Sequence, residues 1–252
     1  MLKLRWRLHS LLLLVGLMMA SNILADNDST TIVPDTIAHR HEIDTIAHRH
    51  KDGTRIYPDS AIYQGMSLKL DIASPIIDVA TSKGLIQTYE IGMNWRLKQR
   101  YYPVFELGYN QAQGAADEGT YKSQGGFARA GVDINGLKKH PERLNALLVG
   151  VRIATALQGY DLYGVQLPVA KDAEPLPKQD YLQQFRCDAW GEVALGCQVQ
   201  VWEGFQMGWS FRLKVLMTRN AKEGEPKPYY IPGFGNRDDI GWGFHYYLGW
   251  MF

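Results

Sequence analysis

The chain has almost no cysteine, since its 252 residues contain two and the first lies at position 187. A lipid anchor on an N-terminal cysteine is therefore not indicated. Beyond the N-terminal segment no run of 18 apolar residues occurs, which excludes a helical inner-membrane protein. Charge of one sign is not in excess either, with 27 Lys and Arg against 26 Asp and Glu. Nothing in the composition supports binding to nucleic acid.

The N-terminal segment has the pattern of an export signal. Lys3, Arg5 and Arg7 are followed by the short apolar run Leu11–Met19, and the predicted cleavage site follows Ala25. The run is too short to span a membrane as a stable helix. We predict a secretory signal peptide over residues 1–25 and an exported mature chain.

Residues 26–65 are polar and contain the heptapeptide DTIAHRH twice, at Asp35–His41 and Asp44–His50. One interpretation is a disordered periplasmic segment with a duplicated, solvated linker. The alternative is metal binding, because paired imidazoles ligate zinc, copper or nickel. The candidate metal ligands are His39, His41, His48 and His50.

From residue 66 onward, short segments alternate apolar and polar residues with period two, which indicates strands with two different faces. Eight such segments can be counted. In the seventh, one face is apolar and aromatic, whereas the other carries polar, small and charged side chains. The apolar face is Phe205, Met207, Trp209, Phe211, Leu213 and Val215, and the polar face is Gln206, Gly208, Ser210, Arg212 and Lys214.

The polar faces are rich in Gly, Ala, Ser and single charges, which suits a narrow interior rather than a solvated surface. The apolar faces place Trp and Tyr near strand ends, as in the girdles of a lipid-facing band. Lipid leaves no backbone group unpaired, so the sheet must close. We predict an all-β fold over residues 66–252, an eight-stranded antiparallel up-and-down transmembrane β-barrel. Its predicted lumenal polar network is Glu90, Arg96, Glu106, Arg129, Asp133, Arg152, Glu192, Arg212 and His245.

The predicted connections alternate in length, as expected for an outer-membrane barrel with short periplasmic turns. The predicted periplasmic connections are the short Lys98–Arg100 and Gln200–Gly204 and the moderate Asn135–Asn145. The predicted outer connections are Pro75–Gly84, Gln111–Gly125, Leu157–Arg186 and Thr218–Asp239. Both ends of the barrel domain then lie in the periplasm. The outer loops are the expected place for an extracellular ligand.

The chain ends on Phe252, preceded by apolar residues at alternate positions, Tyr246, Leu248 and Trp250. This pattern resembles the C-terminal assembly signal of Gram-negative outer-membrane proteins. The resemblance covers residues 66–252 and is to small eight-stranded barrels of the OmpA-transmembrane and OmpX kind. It implies an outer-membrane location, contact with lipid and lipopolysaccharide, and recognition by the barrel-assembly machinery during biogenesis. No motif carries over a functional residue.

The sequence favours a non-enzymatic barrel with a structural, adhesive or interaction role and no cofactor. A general porin is disfavoured, because a small eight-stranded barrel is filled by side chains and has no open channel. One alternative is a lipid-modifying enzyme that uses His245 with Ser210 or Glu192, near Arg212. All four side chains have inward parity, whereas such an enzyme needs a site that faces lipid or opens through loops.

The two cysteines fall on the sixth predicted strand, ten residues apart, and this spacing predicts their redox state. A strand of that length spans roughly 33 Å, whereas a disulfide needs Cα atoms within about 7 Å. We therefore predict two free thiols, with Cys197 facing lipid as a small apolar residue.

Overall fold

The computed structural model describes residues 48–49, 55–56, 61–82, 85–98, 100–116, 119–137, 145–166, 177–202, 204–218 and 226–252. The predicted signal peptide and most of the predicted disordered segment lie outside these residues. Inside that segment, His48–Arg49 pairs antiparallel with Arg55–Ile56. Among its described residues, the predicted segment therefore contains this short pair of strands and the first residues of a longer strand that begins at Tyr63.

Eight long antiparallel strands, each paired with its neighbours in chain order, form a closed ring. The last strand pairs with the first through Leu248↔Leu70 and Trp250↔Leu68, which agrees with the predicted closing role of the chain terminus. The ring begins at Tyr63, slightly before the predicted boundary at residue 66. The strands are β1 (Tyr63–Asp71), β2 (Ile86–Leu97), β3 (Tyr101–Ala116), β4 (Gly119–Asn135), β5 (Ala146–Val165), β6 (Gln179–Trp202), β7 (Phe205–Leu216) and β8 (Ile240–Met251).

One helix, α1 (Ala73–Ser82), occupies the place of the predicted loop Pro75–Gly84. The Asp71 carboxylate starts it, because Oδ1 accepts the backbone N–H groups of Ala73 at 3.0 Å and Ser74 at 3.4 Å. The helix packs against β2 and β8. It therefore covers one side of the ring where β1 ends.

The two ends of the ring differ. We call the end that holds α1 and the connections after β3, β5 and β7 the loop end, and the end that holds Tyr63 and Phe252 the terminal end. The turns after β2 and β6 at the terminal end are short, as predicted. The predicted loops Gln111–Gly125 and Leu157–Arg186 are wrong for much of their length, because β3 to β6 continue as strands through most of both.

Rows of paired residues climb towards the loop end from β1 to β8. The row that starts at Tyr63, at the terminal end of β1, arrives at Phe244 in the middle of β8. Its intermediate members are Leu97, Tyr101, Ile134, Val149, Leu195 and Phe211. Such a climb follows from strand tilt, which in closed sheets is about 35–45° to the axis.

The ring is apolar outside and polar inside. On β5, Ile153 is 69% exposed whereas its neighbour Arg152 is 6% exposed, and this alternation continues along the strand. The exposed outward residues include Leu147, Val149, Val151 and Leu157. This arrangement is the reverse of a soluble sheet protein, which buries its apolar face. Among the described residues, no helix has the length and apolar character needed to span a membrane.

Cys187 and Cys197 are both free thiols, as predicted. Cys187 is exposed. Cys197 lies on the outward face of its strand as predicted, opposite outward Leu147, but it is only 2% exposed and is therefore not open to lipid. Trp209 of β7 stands opposite Cys197 in the strand register. A small side chain beside an indole is covered by its larger neighbours.

Candidate functional site in the charged interior

Every strand of the ring contributes one ionisable side chain to a single buried cluster, which we call the interior cluster. Each member is at most 6% exposed. In strand order the members are Asp71, Glu90, Glu106, Arg129, Arg152, Glu192, Arg212 and His245. Seven of these eight belong to the predicted network, and Asp133 joins it through Arg152 at 3.0 Å. Asp71 was missed, although its inward parity on the first strand was a usable signal.

Arg212 contacts three carboxylates of the interior cluster, the same three that Arg129 contacts. Its Nη1 and Nη2 donate to the two carboxylate oxygens of Glu106 at 2.8 and 2.9 Å. Nη1 also lies 3.2 Å from Glu90 Oε1 and 3.8 Å from Glu192 Oε2. Three carboxylates on three strands therefore share one guanidinium.

Arg129 joins the interior cluster to the long connection after β7. Its Nε donates to Glu192 at 2.9 Å, Nη1 pairs with Glu90, and Nη2 donates to the carbonyl oxygen of Gly233 at 2.8 Å. Lys214 donates to the same carbonyl at 2.7 Å and to that of Phe234 at 3.1 Å. The connection therefore enters the loop end of the ring, where Gly233 and Phe234 cover the interior cluster.

Glycines on the inner face make room for the charged side chains. A Cβ on Gly150 would overlap the Asp133 carboxylate, and one on Gly131 would lie 2.7 Å from Arg152 Cγ. The predicted narrow interior is thus explained by side chains that occupy the space above glycines of neighbouring strands. Packing at this density leaves little tolerance for added volume.

His245 and Asp71 form a buried pair at the edge of the interior cluster. His245 Nδ1 lies 2.8 Å from Asp71 Oδ2 and 3.8 Å from Glu90 Oε2. Among the described residues, these three form a set whose donor atoms lie within 4.8 Å of one another, as a metal site requires. Glu90 already pairs with Arg129 and Arg212, so two cations compete for its oxygens. The set fits an ion-pair network better than a metal centre.

The alternative, a lipid-modifying enzyme that uses His245 with Ser210 or Glu192, is not supported by the contacts of these residues. Glu192 accepts from Arg129 and from Trp190 Nε1 at 2.6 Å rather than from His245. Ser210 stands opposite His245 in the register, but its hydroxyl accepts a weak hydrogen bond from Arg212 Nε at 3.4 Å. The cavity beside these groups has a volume of about 40 Å³, which holds a few water molecules at most. A lipid substrate does not fit there.

A second set of contacts anchors the connection after β7. Arg237 donates from Nη1 and Nη2 to the two oxygens of Asp188 on β6, both at 3.1 Å. The Tyr230 hydroxyl reaches Thr88 and Asn110, and its burial raises the pKa of this phenol, with nearby Asp78 adding to the shift. The phenol therefore stays neutral and holds the connection against β2 and β3.

The remaining predicted residues lie elsewhere. Arg96 is buried near Tyr102, closer to the terminal end. Tyr246, Leu248 and Trp250 lie on β8, and Phe252 follows it with 56% exposure. The candidate metal ligands His39, His41 and His50 are outside the described residues, and His48 is described only as part of a strand.

The comparisons with known proteins give a family and no function. The family model described as "Domain of unknown function (DUF6048)" matches residues 7–252. Neither the curated proteins nor the solved structures gave a match.

Proposed function

We propose that this chain, which belongs to the DUF6048 family, is a non-enzymatic outer-membrane β-barrel of a Gram-negative cell. The terminal end would face the periplasm and the loop end the cell surface. The loop end would have a structural, adhesive or interaction role, and the ring would hold it at the cell surface. One observation carries the proposal, namely an outward surface that is apolar around an interior that is charged.

The height of the apolar surface supports this proposal. On β5 the outward residues run from Leu147 to Leu157, all exposed. At about 3.3 Å per residue and a tilt of about 40°, this stretch is roughly 25 Å tall, the height of the lipid-facing band in outer-membrane barrels.

Aromatic side chains mark both edges of this surface, as in the girdles of membrane barrels. Trp242 lies near the loop end of β8 with 63% exposure, and Trp250 lies near the terminal end with 44%. Further exposed aromatics are Tyr63, Tyr101, Trp202 and Phe252 at the terminal end and Tyr89 and Tyr109 towards the loop end. Indole and phenol rings have an apolar body and a polar tip, which suits the boundary between lipid and water.

The interior is filled with side chains, which favours a function other than transport through the ring. The interior cluster pairs charges across the ring, and Gly233 and Phe234 close its loop end. In this proposal the partners are membrane lipid and lipopolysaccharide, the barrel-assembly machinery during biogenesis, and a ligand at the loop end.

Quenching of tryptophan fluorescence by brominated lipid tests the proposal. The protein is reconstituted in vesicles whose acyl chains carry bromine, and its fluorescence is compared with that in unbrominated vesicles. We expect strong quenching, which Trp250→Phe reduces because Trp250 is outward. Trp190→Phe serves as the control, because Trp190 is fully buried inside, and it should leave the quenched intensity unchanged. A folded protein without quenching would contradict the proposal.

A further inference from the structure

The outward face of β2 to β6 changes its chemistry in three successive rows towards the loop end. Each row consists of residues that stand opposite one another in the strand register. The first is aromatic and apolar (Tyr89, Tyr109, Gly126, Leu157, Cys187), the second we call the amide row (Gln87, Gln111, Gln124, Gly159, Phe185), and the third holds charges (Gln113, Lys122, Asp161). Along the strands towards the loop end, the outward surface therefore changes from aromatic and apolar residues to amides and then to charged residues.

A hollow lies over the amide row, with a volume of about 610 Å³. Gln111 Nε2 donates to the Tyr109 hydroxyl at 3.0 Å, and that hydroxyl donates to Gln124 Oε1 at 3.4 Å. These bonds orient two of the three amides and use only part of their hydrogen-bonding capacity. Side chains spaced by about 4.8 Å across the strands therefore offer donors and acceptors along one line.

Phe185 ends the amide row as an aromatic platform. It is 85% exposed, and its ring lies over Gly159, where a Cβ would be 3.4 Å from Cε1. A second hollow of about 320 Å³ adjoins the ring and is lined in part by Leu157 and Arg186. The phenyl face is thus open to a partner.

The backbone beside Phe185 is irregular. The β5–β6 register shifts between Tyr160 and Leu162, and Gln183 has a φ of 53°. Asp161 Oδ1 accepts the backbone N–H of Gln183 at 2.7 Å and holds this conformation. Bulges and left-handed residues other than glycine are found where a strand re-aims side chains towards a ligand.

We propose that the amide row binds the uncharged sugar portion of a membrane glycolipid, with Phe185 stacked on a sugar face. Amides donate to and accept from hydroxyl groups, and an aromatic ring covers the apolar C–H face of a sugar. The charges beside the row balance, because Lys122 stands opposite Asp161. A phosphate group would require an excess of Arg or Lys instead.

The position of the amide row favours a lipid-linked sugar over a free sugar as the ligand. This preference rests on the proposed membrane function. Gln87 lies next to the girdle residue Tyr89, and the row then climbs towards Phe185 because rows climb from β1 to β8. Four strand spacings at a tilt of about 40° raise Phe185 roughly 12 Å above Gln87. A sugar chain that leaves the lipid surface at Gln87 would follow this line outward.

Cys187 provides a fluorescent reporter for the site, since it is exposed and lies two residues from Phe185. The full chain carries Cys197→Ala, an environment-sensitive dye on Cys187, and is placed in phospholipid vesicles with rising fractions of lipopolysaccharide. We expect a saturable change in fluorescence. The double variant Gln111→Ala/Gln124→Ala and the single variant Phe185→Ala should each raise the half-saturating fraction about tenfold, as expected for two lost hydrogen bonds or one lost stacking contact.

Two variants serve as matched controls. Phe105→Ala removes an outward phenyl ring inside the apolar surface, and Gln200→Ala removes an amide near the terminal end of β6. Neither should change the half-saturating fraction. The proposal is overturned if all variants titrate like the wild type, or if lipid A without its further sugars gives the same titration. It is equally overturned if the free oligosaccharide saturates the dye at no higher a concentration than the glycolipid.

Brominated-lipid quenching of the same vesicles separates the two proposals. Quenched tryptophans with a flat lipopolysaccharide titration would refute the sugar site alone. Absent quenching would refute the membrane function, on which the sugar site depends.

Discussion

Arg212 of β7 meets Glu106 of β3 across the interior through two parallel hydrogen bonds of 2.8 and 2.9 Å. These strands are not neighbours in the ring, so the pair ties opposite walls together. A bidentate contact of this kind fixes distance and orientation as well as charge. It acts beside buried apolar clusters, such as that of Phe127, Trp190 and Phe234, in holding the ring in one shape.

The first prediction concerns this pair. Arg212→Met should lower the free energy of unfolding by about 3–5 kcal/mol, because it leaves buried carboxylates without their shared cation. The double variant Arg212→Met/Glu106→Leu should recover much of that loss, since it removes one charge of each sign. Urea unfolding of the reconstituted protein measures both. Equal free energies of unfolding for the wild type and Arg212→Met would show that the paired hydrogen bonds between Arg212 and Glu106 do not stabilise the ring.

The second prediction concerns space in the interior. Gly150→Ala should destabilise the ring by about 1–3 kcal/mol, the usual cost of overpacking, because the added methyl overlaps the Asp133 carboxylate. Gly126→Ala is the matched control on the outward face of β4, where the nearest atom would be Gly108 O at 3.7 Å. The same urea unfolding experiment compares them. The packing argument fails if the two variants lose the same stability.

The third prediction concerns the connection that closes the loop end. Arg237→Ala removes the fork to Asp188, so amide hydrogen exchange of residues 229–237 should accelerate by about tenfold or more. Exchange in the strands should stay unchanged, because Arg129 and Lys214 hold the connection from inside. Lys227→Ala, at an exposed residue of the same connection, is the control. Unchanged exchange in Arg237→Ala would mean that the contacts at Gly233, Phe234 and Tyr230 anchor the connection without the pair to Asp188.

The fourth prediction concerns the last residue. Deletion of Phe252 should reduce the yield of folded protein in the outer membrane several-fold, if the terminal pattern is an assembly signal. The backbone of Phe252 also bonds with Met66 at 2.8 and 3.3 Å, so Phe252→Ala, which keeps these bonds, is tested beside the deletion. Normal yields in both variants would refute the assembly signal.

The strand faces were readable from the sequence because each ring residue faces one of two very different environments. On β5 the alternating outward residues are exposed and their neighbours are buried. On β7 the neighbours are buried as well, but of the predicted outward residues Phe211, Leu213 and Val215 are exposed, whereas Phe205, Met207 and Trp209 are half-buried. Ion-pair partners such as Glu106 and Arg212 were placed on the inner face for the same reason. Their pairing was not readable, since the two residues are far apart in sequence and on strands that are not adjacent.

The sequence did not predict that β3 to β6 extend so far or that α1 forms, and both differences have physical reasons. Past Tyr109, both faces of β3 carry small or polar residues such as Gln111 and Ala112, so the periodicity disappears although the strand continues. In α1, Pro75 and the β-branched Ile76 and Ile77 oppose a helix. The Asp71 carboxylate and packing against β2 override that preference. The contact of Arg129 with Gly233 is set by tertiary structure alone.

The most direct test of the central claim is the gel mobility of the outer-membrane fraction, boiled against unboiled. We predict that the protein is in this fraction and that the unboiled sample runs faster, because a closed ring held by strand pairing and buried ion pairs resists detergent. A protein found in the soluble periplasmic fraction, with the same mobility before and after boiling, would contradict the account.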